Sequence, residues 1–140
     1  MAVRTRLLAS QKPLFEGDCD FIVLRGADGD LGVLPGHAPL LTWLKPGEVM
    51  VRQKEKEEFF FLEDGFLEVL TDRVSVMAQR GDRCDAIPPE RAESMRKAAE
   101  EALSRAASAG DQRLEELSRD LEVANARLEA VERQRRRARD

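Results

Sequence analysis

Residues 74–92 read VSVMAQRGDRCDAIPPERA, and the spacing of the apolar residues changes within this stretch. Val74, Val76 and Ala78 alternate with other residues, which is the two-residue period of a β-strand. After Ile87 come two prolines that suit the first turn of a helix, and beyond them the apolar residues recur every three or four positions. The chain is therefore predicted to change from strands to helices within this stretch.

The sequence upstream, residues 1–85, repeats the strand pattern. Short alternating runs rich in Val and Phe are separated by turn signals, of which Asp64-Gly65 is one. Strands spaced about ten residues apart predict a β-sandwich or a flattened barrel. Residues 59–62, FFFL, are apolar on both faces, so they are predicted to lie in a central strand.

Residues 86–140 follow a helical period and are predicted to form an antiparallel two-helix hairpin. Gly110 is predicted to end the first helix and Asp111 to cap the second, and so short a connection makes the two helices neighbours. The second helix carries apolar residues at steps of three and four, as in a heptad seam. These residues are Leu114, Leu117, Leu121, Ala124, Leu128 and Val131.

The composition argues against several functional classes. The chain has 140 residues and a formal charge of −4, which is not the charge of a dedicated nucleic-acid binder. Cys19 and Cys84 match no metal or redox spacing and are predicted to be buried thiols. No stretch approaches the ~20 apolar residues of a membrane span, so direct membrane insertion is not expected.

No pattern of catalytic residues stands out in the sequence. The chain has one histidine and no tyrosine, and it lacks phosphate-loop, nucleophile-elbow and dinucleotide-binding motifs. His37 lies in a predicted tight loop, where a turn or interface contact is a better interpretation than catalysis. Asp28 and Asp30 flank Gly29, as a turn requires, so neither a catalytic residue nor a metal site is predicted.

The central part of the β-region resembles a known family. The stretches GDLGVLPGHAPLLT at residues 29–42 and LKPG at residues 44–47 are similar to the signature of the epsilon subunits of F-type ATP synthases. GFLEV at residues 65–69 and the Arg91-Ala92 pair match the same family. The resemblance implies a sandwich of about ten strands followed by a two-helix hairpin. It also implies a non-catalytic subunit of the rotor stalk, which couples F1 to the c-ring and inhibits ATP hydrolysis through its C-terminal helices.

The resemblance further implies partners and a location. Residues 1–85 would dock on the gamma subunit and the c-ring, while residues 86–140 would reach the catalytic alpha/beta hexamer and an acidic segment of beta. The c-ring interface would include Asp28, Gly29 and Asp30, with His37 in the adjoining loop. The protein is expected at the cytoplasmic face of the bacterial inner membrane as part of F1, with no nucleic acid among its partners.

The two ends of the helical region carry further expectations. Ile87, Arg91 and Ala92 match a nucleotide motif of the family, but Pro88 stands where many members have Asp, so weak or absent ATP binding and no cofactor are predicted. The C-terminal arginines are predicted to inhibit hydrolysis by charge. They are Arg133, Arg135, Arg136, Arg137 and Arg139.

Two other functions remain open on the sequence alone. One is a free-standing nucleotide-sensing module, and the other is a β-sandwich adaptor whose arginine-rich tail binds anions such as nucleic acid or an anionic membrane. Co-purification separates them, because a stalk subunit requires gamma and a sensor requires only ATP. The adaptor would instead show salt-sensitive binding to DNA or lipid.

Overall fold

The structure is a computed structural model that describes residues 2–10, 12–26 and 29–139. The chain divides into two compact units, Met1–Cys84 and Asp85–Asp140, where the sequence places the boundary after residue 85. The strands are β1 Val3–Ala9, β2 Lys12–Cys19, β3 Phe21–Gly26, β4 Gly29–Val33, β5 Leu40–Leu44, β6 Gly47–Gln53, β7 Lys56–Val69 and β8 Arg73–Arg83. A short 3-10 helix, Cys84–Ala86, precedes α1 Pro89–Ala109 and α2 Leu114–Arg139.

The strands pair into the two layers of a β-sandwich. One layer runs in the order β2-β1-β8-β7-β5, and the other contains β4, β3, β6 and the first half of β7. All pairs are antiparallel except β1 with β8, which is parallel. The parallel pair places the first strand of the chain beside the last, so residues distant in sequence share one surface.

The strand β7 belongs to both layers. Its first half pairs with β6 and its second half, from Gly65 onward, pairs with β5. The turn predicted at Asp64-Gly65 is therefore wrong, because Asp64 takes a positive φ of 49° that bends the strand without ending it. The described residues hold eight strands, where the resemblance implies about ten, and β7 continues through the predicted turn at Asp64-Gly65.

The alternating residues form the core between the layers. In β1 every second residue, from Val3 to Ala9, is buried, while Arg4 and Arg6 are exposed. Phe60 is fully buried, and its strand is paired on both sides, which confirms the prediction of a central strand. The largest fully buried side chains of the sandwich are Phe60, Phe61, Leu7, Ile22, Leu24, Leu62 and Leu67.

The two cysteines are buried free thiols, as predicted. The Sγ atom of Cys19 lies 2.8 Å from the hydroxyl oxygen of Thr5, inside the sandwich. Burial raises the pKa of the Cys19 thiol, because a thiolate would lose its hydration there. Both thiols therefore belong to the packing of the protein.

Helix α1 begins and ends where the sequence predicts, and Asp111 lies just before α2. Pro88 is extended, and its carbonyl accepts the N–H groups of Arg91 and Ala92 at 3.1 Å each. Gly110 ends α1 in the left-handed conformation, with φ 68°, and its N–H donates to the Ala106 carbonyl. Asp111 accepts the backbone N–H of Arg113 at 2.8 Å just before α2 begins.

The seam between α1 and α2 matches its prediction only in part. Ala124 and Val131 are buried and Leu117 is half-buried, whereas Leu114 at the start of α2 is exposed. Small residues of α1, such as the buried Ala106, let the helices approach closely but cover little apolar area. The packed part of the seam therefore lies away from its first residue.

Candidate docking surface

Four apolar side chains form a row across the outer face of the β2-β1-β8-β7-β5 layer. Trp43 on β5 lies opposite Phe66 on β7, Phe66 lies opposite Met77 on β8, and Met77 lies opposite Leu8 on β1. Trp43 is 69% exposed and Met77 is 48% exposed, while Phe66 and Leu8 are half-buried. These four residues are called the apolar row. With strands about 4.8 Å apart, the row is roughly 14 Å long.

The apolar row stands where the strand pattern calls for polar residues. In β5, Leu44 points into the core, whereas Leu41 and Trp43 alternate with the inward positions and are exposed. One face of an antiparallel layer is normally polar when it meets water. A contiguous exposed apolar strip on that face therefore indicates an interaction surface.

Charged residues occupy the same face beside the apolar row. Arg6 lies opposite both Ser75 and Glu16, and Arg4 lies opposite both Arg73 and Asp18. The Arg4 guanidinium is 3.6 Å from the Glu16 carboxylate and 3.8 Å from the Asp18 carboxylate. A surface depression of about 370 Å³ lies among these residues. Its lining residues are Arg4, Thr5, Arg6, Glu16, Glu68, Arg73, Val74 and Ser75.

The structure places Gly29 and Asp30, predicted at the c-ring interface, at the start of β4. Asp28, the third residue of that predicted tip, lies outside the described residues. The Oδ1 atom of Asp30 is 3.2 Å from the Nε atom of Arg25 on the neighbouring strand. The carboxylate thus already has a basic partner within the sandwich, and both side chains remain largely exposed.

His37 lies in a tight turn beyond the other end of β4. Its N–H donates to the Leu34 carbonyl at 3.1 Å, and Gly36 at the turn has a φ of 81°, which glycine adopts readily. The His37 Nδ1 atom is 2.7 Å from the Ala38 carbonyl oxygen. Since β4 rises about 3.3 Å per residue, roughly 13 Å of strand separates this turn from Gly29. Asp30 and His37 therefore lie at opposite ends of β4, and their place at the c-ring interface stays a prediction.

The residues of the predicted nucleotide motif are not equally accessible. Arg91 is exposed, Ile87 is half-buried, and Ala92 is 0% exposed. The Pro88 carbonyl is already bonded within the first turn of α1. Of the three predicted residues, only Arg91 therefore has a side chain fully available to a ligand.

The C-terminal arginines all lie on α2, but they fall into two groups. Arg135, Arg136 and Arg139 are exposed. Arg133 and Arg137 are half-buried; the first is 3.9 Å from the Glu129 carboxylate, and the second donates to the Gln134 side-chain oxygen at 2.9 Å. Three of the five arginines are thus exposed and the other two have partners on their own helix, while the inhibitory role of all five stays a prediction.

Residues 2–10, 12–26 and 29–139 contain neither a metal-binding cluster nor a membrane-spanning helix. Within those ranges, no three His, Cys, Asp or Glu side chains are grouped so that they could hold a metal ion. No helix in them is both long enough and apolar enough to cross a membrane.

The outer face of the sheet carries residues that the sequence motifs do not single out. They are Trp43, Met77, Arg4 and Arg73, and each stands on the outward side of an alternating strand. The available signal was a large apolar residue at a polar position of the alternation. Only the register of the strands shows that such residues are neighbours.

Comparisons with known proteins agree with this architecture. A family model described as "ATP synthase, Delta/Epsilon chain, beta-sandwich domain" matches residues 2–83. The chain is 37% identical over 134 residues to ATP synthase epsilon chain 2 of Ralstonia nicotianae, covering 95% of each chain. It is 38% identical over 129 residues to the ATP synthase epsilon chain of Desulforamulus reducens, covering 92% of this chain and 96% of that one.

Two solved structures share the fold. A chain of the Euglena gracilis mitochondrial ATP synthase aligns with a TM-score of 0.77 at 22% identity, covering 89% of this chain and 78% of that one. A chain of the Tetrahymena thermophila mitochondrial ATP synthase aligns with a TM-score of 0.54 at 15% identity, covering 61% and 69%. The strand pairing, the helical hairpin and these matches together show that the chain belongs to the ATP synthase delta/epsilon family, as a non-catalytic epsilon chain.

Proposed function

We propose that this epsilon chain is part of the central rotor stalk and docks on the gamma subunit through the apolar row. In this role it couples F1 to the c-ring, and its helical hairpin inhibits ATP hydrolysis. The complex would hold it at the cytoplasmic face of the bacterial inner membrane. The observation that carries the proposal is the contiguous, partly exposed row of Trp43, Phe66, Met77 and Leu8 on a hydrogen-bonded sheet.

The apolar row has the properties of an interface centre. Interfaces concentrate their binding energy in a few aromatic and other large side chains, and Trp is prominent among these. Trp43 rests edge to face on Phe66, so its ring is partly held before a partner arrives. Burying such a surface contributes about 25 cal/mol per Å² of apolar area, and little entropy is lost because the strands are already ordered.

The c-ring contact is a separate part of the proposal. We assign it to the hairpin between β3 and β4, where Gly29 and Asp30 are exposed. Because Asp30 already lies beside Arg25, a basic side chain of the ring would join an existing ion pair. His37, beyond the other end of β4, would require a second and independent contact with the rotor.

The alternative functions receive less support. A nucleotide sensor needs its motif residues to be accessible, and Ala92 is fully buried. An adaptor that binds anions through its tail would use Arg135, Arg136 and Arg139, but acidic residues alternate with the basic ones along most of α2. Neither alternative explains an exposed apolar row on the sandwich.

Binding of the full-length chain to the purified gamma subunit tests the proposal. Trp43→Ala removes the most exposed side chain of the apolar row, and loss of a hot-spot side chain weakens binding by about 30-fold or more, equivalent to ~2 kcal/mol. The control is Leu34→Ala, because Leu34 is 60% exposed but lies in the His37 turn. It should change the dissociation constant by less than about threefold, within surface-mutation effects. Unchanged binding of the Trp43 variant would contradict the docking surface.

A further inference from the structure

We propose that the partner surface facing the apolar row carries a carboxylate beside its apolar residues, and that this carboxylate enters the depression lined by Arg4, Arg6 and Arg73. The inference rests on the proposed docking of gamma and specifies the chemistry of the surface that docks. It concerns residues of the first and last strands, which only the parallel pairing of β1 and β8 brings together.

The first argument is the uneven pairing of charges around the depression. Arg4 and Arg73 lie directly opposite each other on neighbouring strands, and like charges in that arrangement repel. The carboxylates of Glu16 and Asp18 offset the positive charge of Arg4. Within the part of the chain that the structure describes, neither Arg6 nor Arg73 has an ion pair. With Asp18, three carboxylates stand near the three arginines of the depression, but both carboxylates with an ion pair there, Glu16 and Asp18, contact Arg4.

The second argument is the distance between the depression and the apolar row. On β8, Ser75 and Met77 point to the same face two residues apart, and on β1 the same holds for Arg6 and Leu8. Two residues of a strand span about 6.7 Å. A specific interface covers about 800 Å² on each partner, so a protein centred on the apolar row must also cover the depression.

Covering the depression removes water from the arginines. A charge that loses water without gaining a partner opposes binding, whereas a hydrogen-bonded carboxylate offsets that loss. The guanidinium group presents a planar fork that matches a carboxylate with two hydrogen bonds. The volume of about 370 Å³ leaves room for such a side chain above Ser75. A free phosphate would not explain the adjoining apolar row, which is why the anion is assigned to the partner protein.

The test is binding of the full-length chain to the gamma subunit at two salt concentrations. Arg73→Gln keeps a long polar side chain but removes the charge, and it should weaken binding about fivefold to thirtyfold and reduce its salt dependence. Arg80→Gln is the matched control, since Arg80 is exposed on the same strand but outside the depression. It should bind within twofold of the wild type, as surface changes usually do.

A charge swap locates the carboxylate. Arg73→Glu should bind more weakly than Arg73→Gln, and one acidic-to-Lys substitution on the facing surface of gamma should restore its affinity. Unchanged or tighter binding of Arg73→Gln would overturn the inference. So would saturable binding of inorganic phosphate to the isolated wild-type chain that Arg73→Gln abolishes, because the depression would then be a site for free anions.

The outcomes separate this inference from the proposed function. If Trp43→Ala weakens binding and Arg73→Gln does not, docking on the apolar row stands and the carboxylate is absent. If neither variant affects binding, the face is not the docking surface, and both proposals are overturned.

Discussion

The indole ring of Trp43 and the phenyl ring of Phe66 meet edge to face, with their centroids 5.1 Å apart and their planes at 63°. This pair lies on the outside of the sandwich, where Trp43 is largely exposed, while Phe60 on the same strand as Phe66 is fully buried. Two aromatic groups of one domain thus serve different purposes. One stabilises the fold, and the other is available to a partner.

The free energy of unfolding of single variants should distinguish the buried Phe60 from the exposed Trp43. Phe60→Ala leaves a cavity in the core and should lower the free energy of unfolding by about 3–5 kcal/mol. Trp43→Ala loses the contact with Phe66, and the free energy of unfolding is expected to fall by about 1 kcal/mol. Urea unfolding followed by far-UV circular dichroism measures both, because the Trp43 variant has no tryptophan fluorescence. Similar losses in the two variants would show that Trp43 belongs to the core.

The stability of the helical hairpin should fall at acidic pH. Side-chain and backbone hydrogen bonds from Arg113 hold the pKa of the Asp111 carboxyl below its ordinary value of 3.8. The folded form therefore binds its proton less readily than the unfolded form. The contribution of this carboxylate is complete above that ordinary value and is lost as the pH falls through the lower folded value.

Thermal unfolding at 222 nm between pH 7 and pH 2 measures this effect. Asp111→Asn keeps a side-chain oxygen that accepts the Arg113 N–H but cannot titrate, so its midpoint should depend less on pH below about 4. An identical pH dependence in the wild type and the variant would exclude Asp111 as a source of acid sensitivity.

Inhibition of ATP hydrolysis should depend on the three exposed arginines of the tail. Replacing Arg135, Arg136 and Arg139 by Ala should raise the hydrolysis rate of the reconstituted complex and reduce its dependence on salt. Each exposed ion pair with the catalytic hexamer contributes about 0.2–1 kcal/mol, so an effect of several-fold is expected. ATP synthesis driven by the ion gradient should change less.

The control for the tail is the double variant with Arg133→Ala and Arg137→Ala. These two side chains have partners on α2, so their loss should affect the helix more than the hydrolysis rate. A chain that ends at Val131 gives the limiting case. Equal hydrolysis rates with this chain and the full-length chain would show that the tail does not contribute to inhibition.

The isolated chain should bind ATP weakly. Pro88 has no side-chain acceptor, its carbonyl is occupied by α1, and Ala92 is buried, so Arg91 alone is fully exposed to attract phosphate. Calorimetry should give a dissociation constant above ~0.1 mM, which corresponds to a binding free energy weaker than roughly −5.5 kcal/mol. Tighter binding that persists in Arg91→Ala would point to a nucleotide site elsewhere in the chain.

The sequence predicts the elements of this protein better than their arrangement. Strand and helix periods, the αL end at Gly110 and the central position of Phe60 follow from local rules. Local rules do not predict the conformation at Asp64-Gly65, because the same dipeptide suits a turn or a bend within a strand. Pairing with distant strands decides between a turn and a bend. Here pairing with β5, β6 and β8 keeps β7 a continuous strand.

The candidate site depends even more on distant pairing. Arg4 and Arg73 become neighbours only through the parallel register of β1 and β8. Conversely, Asp30 and His37 are close in sequence, but they lie at opposite ends of the strand β4. A family signature places both near one interface, whereas the path of β4 separates them.

The continuity of β7 has a mechanical consequence for the sandwich. Its residues from Gly65 to Val69 lie in the layer that carries the apolar row, and its residues from Lys56 to Leu62 lie in the other layer. Covalent backbone bonds therefore connect the two layers, and the hydrogen bonds to β5, β6 and β8 join β7 to its neighbours in both, so a force on one layer is expected to reach the other. Because β8 pairs with both halves of β7, from Phe60 to Val69, sliding one layer over the other would distort both strands, and the two layers are expected to move together.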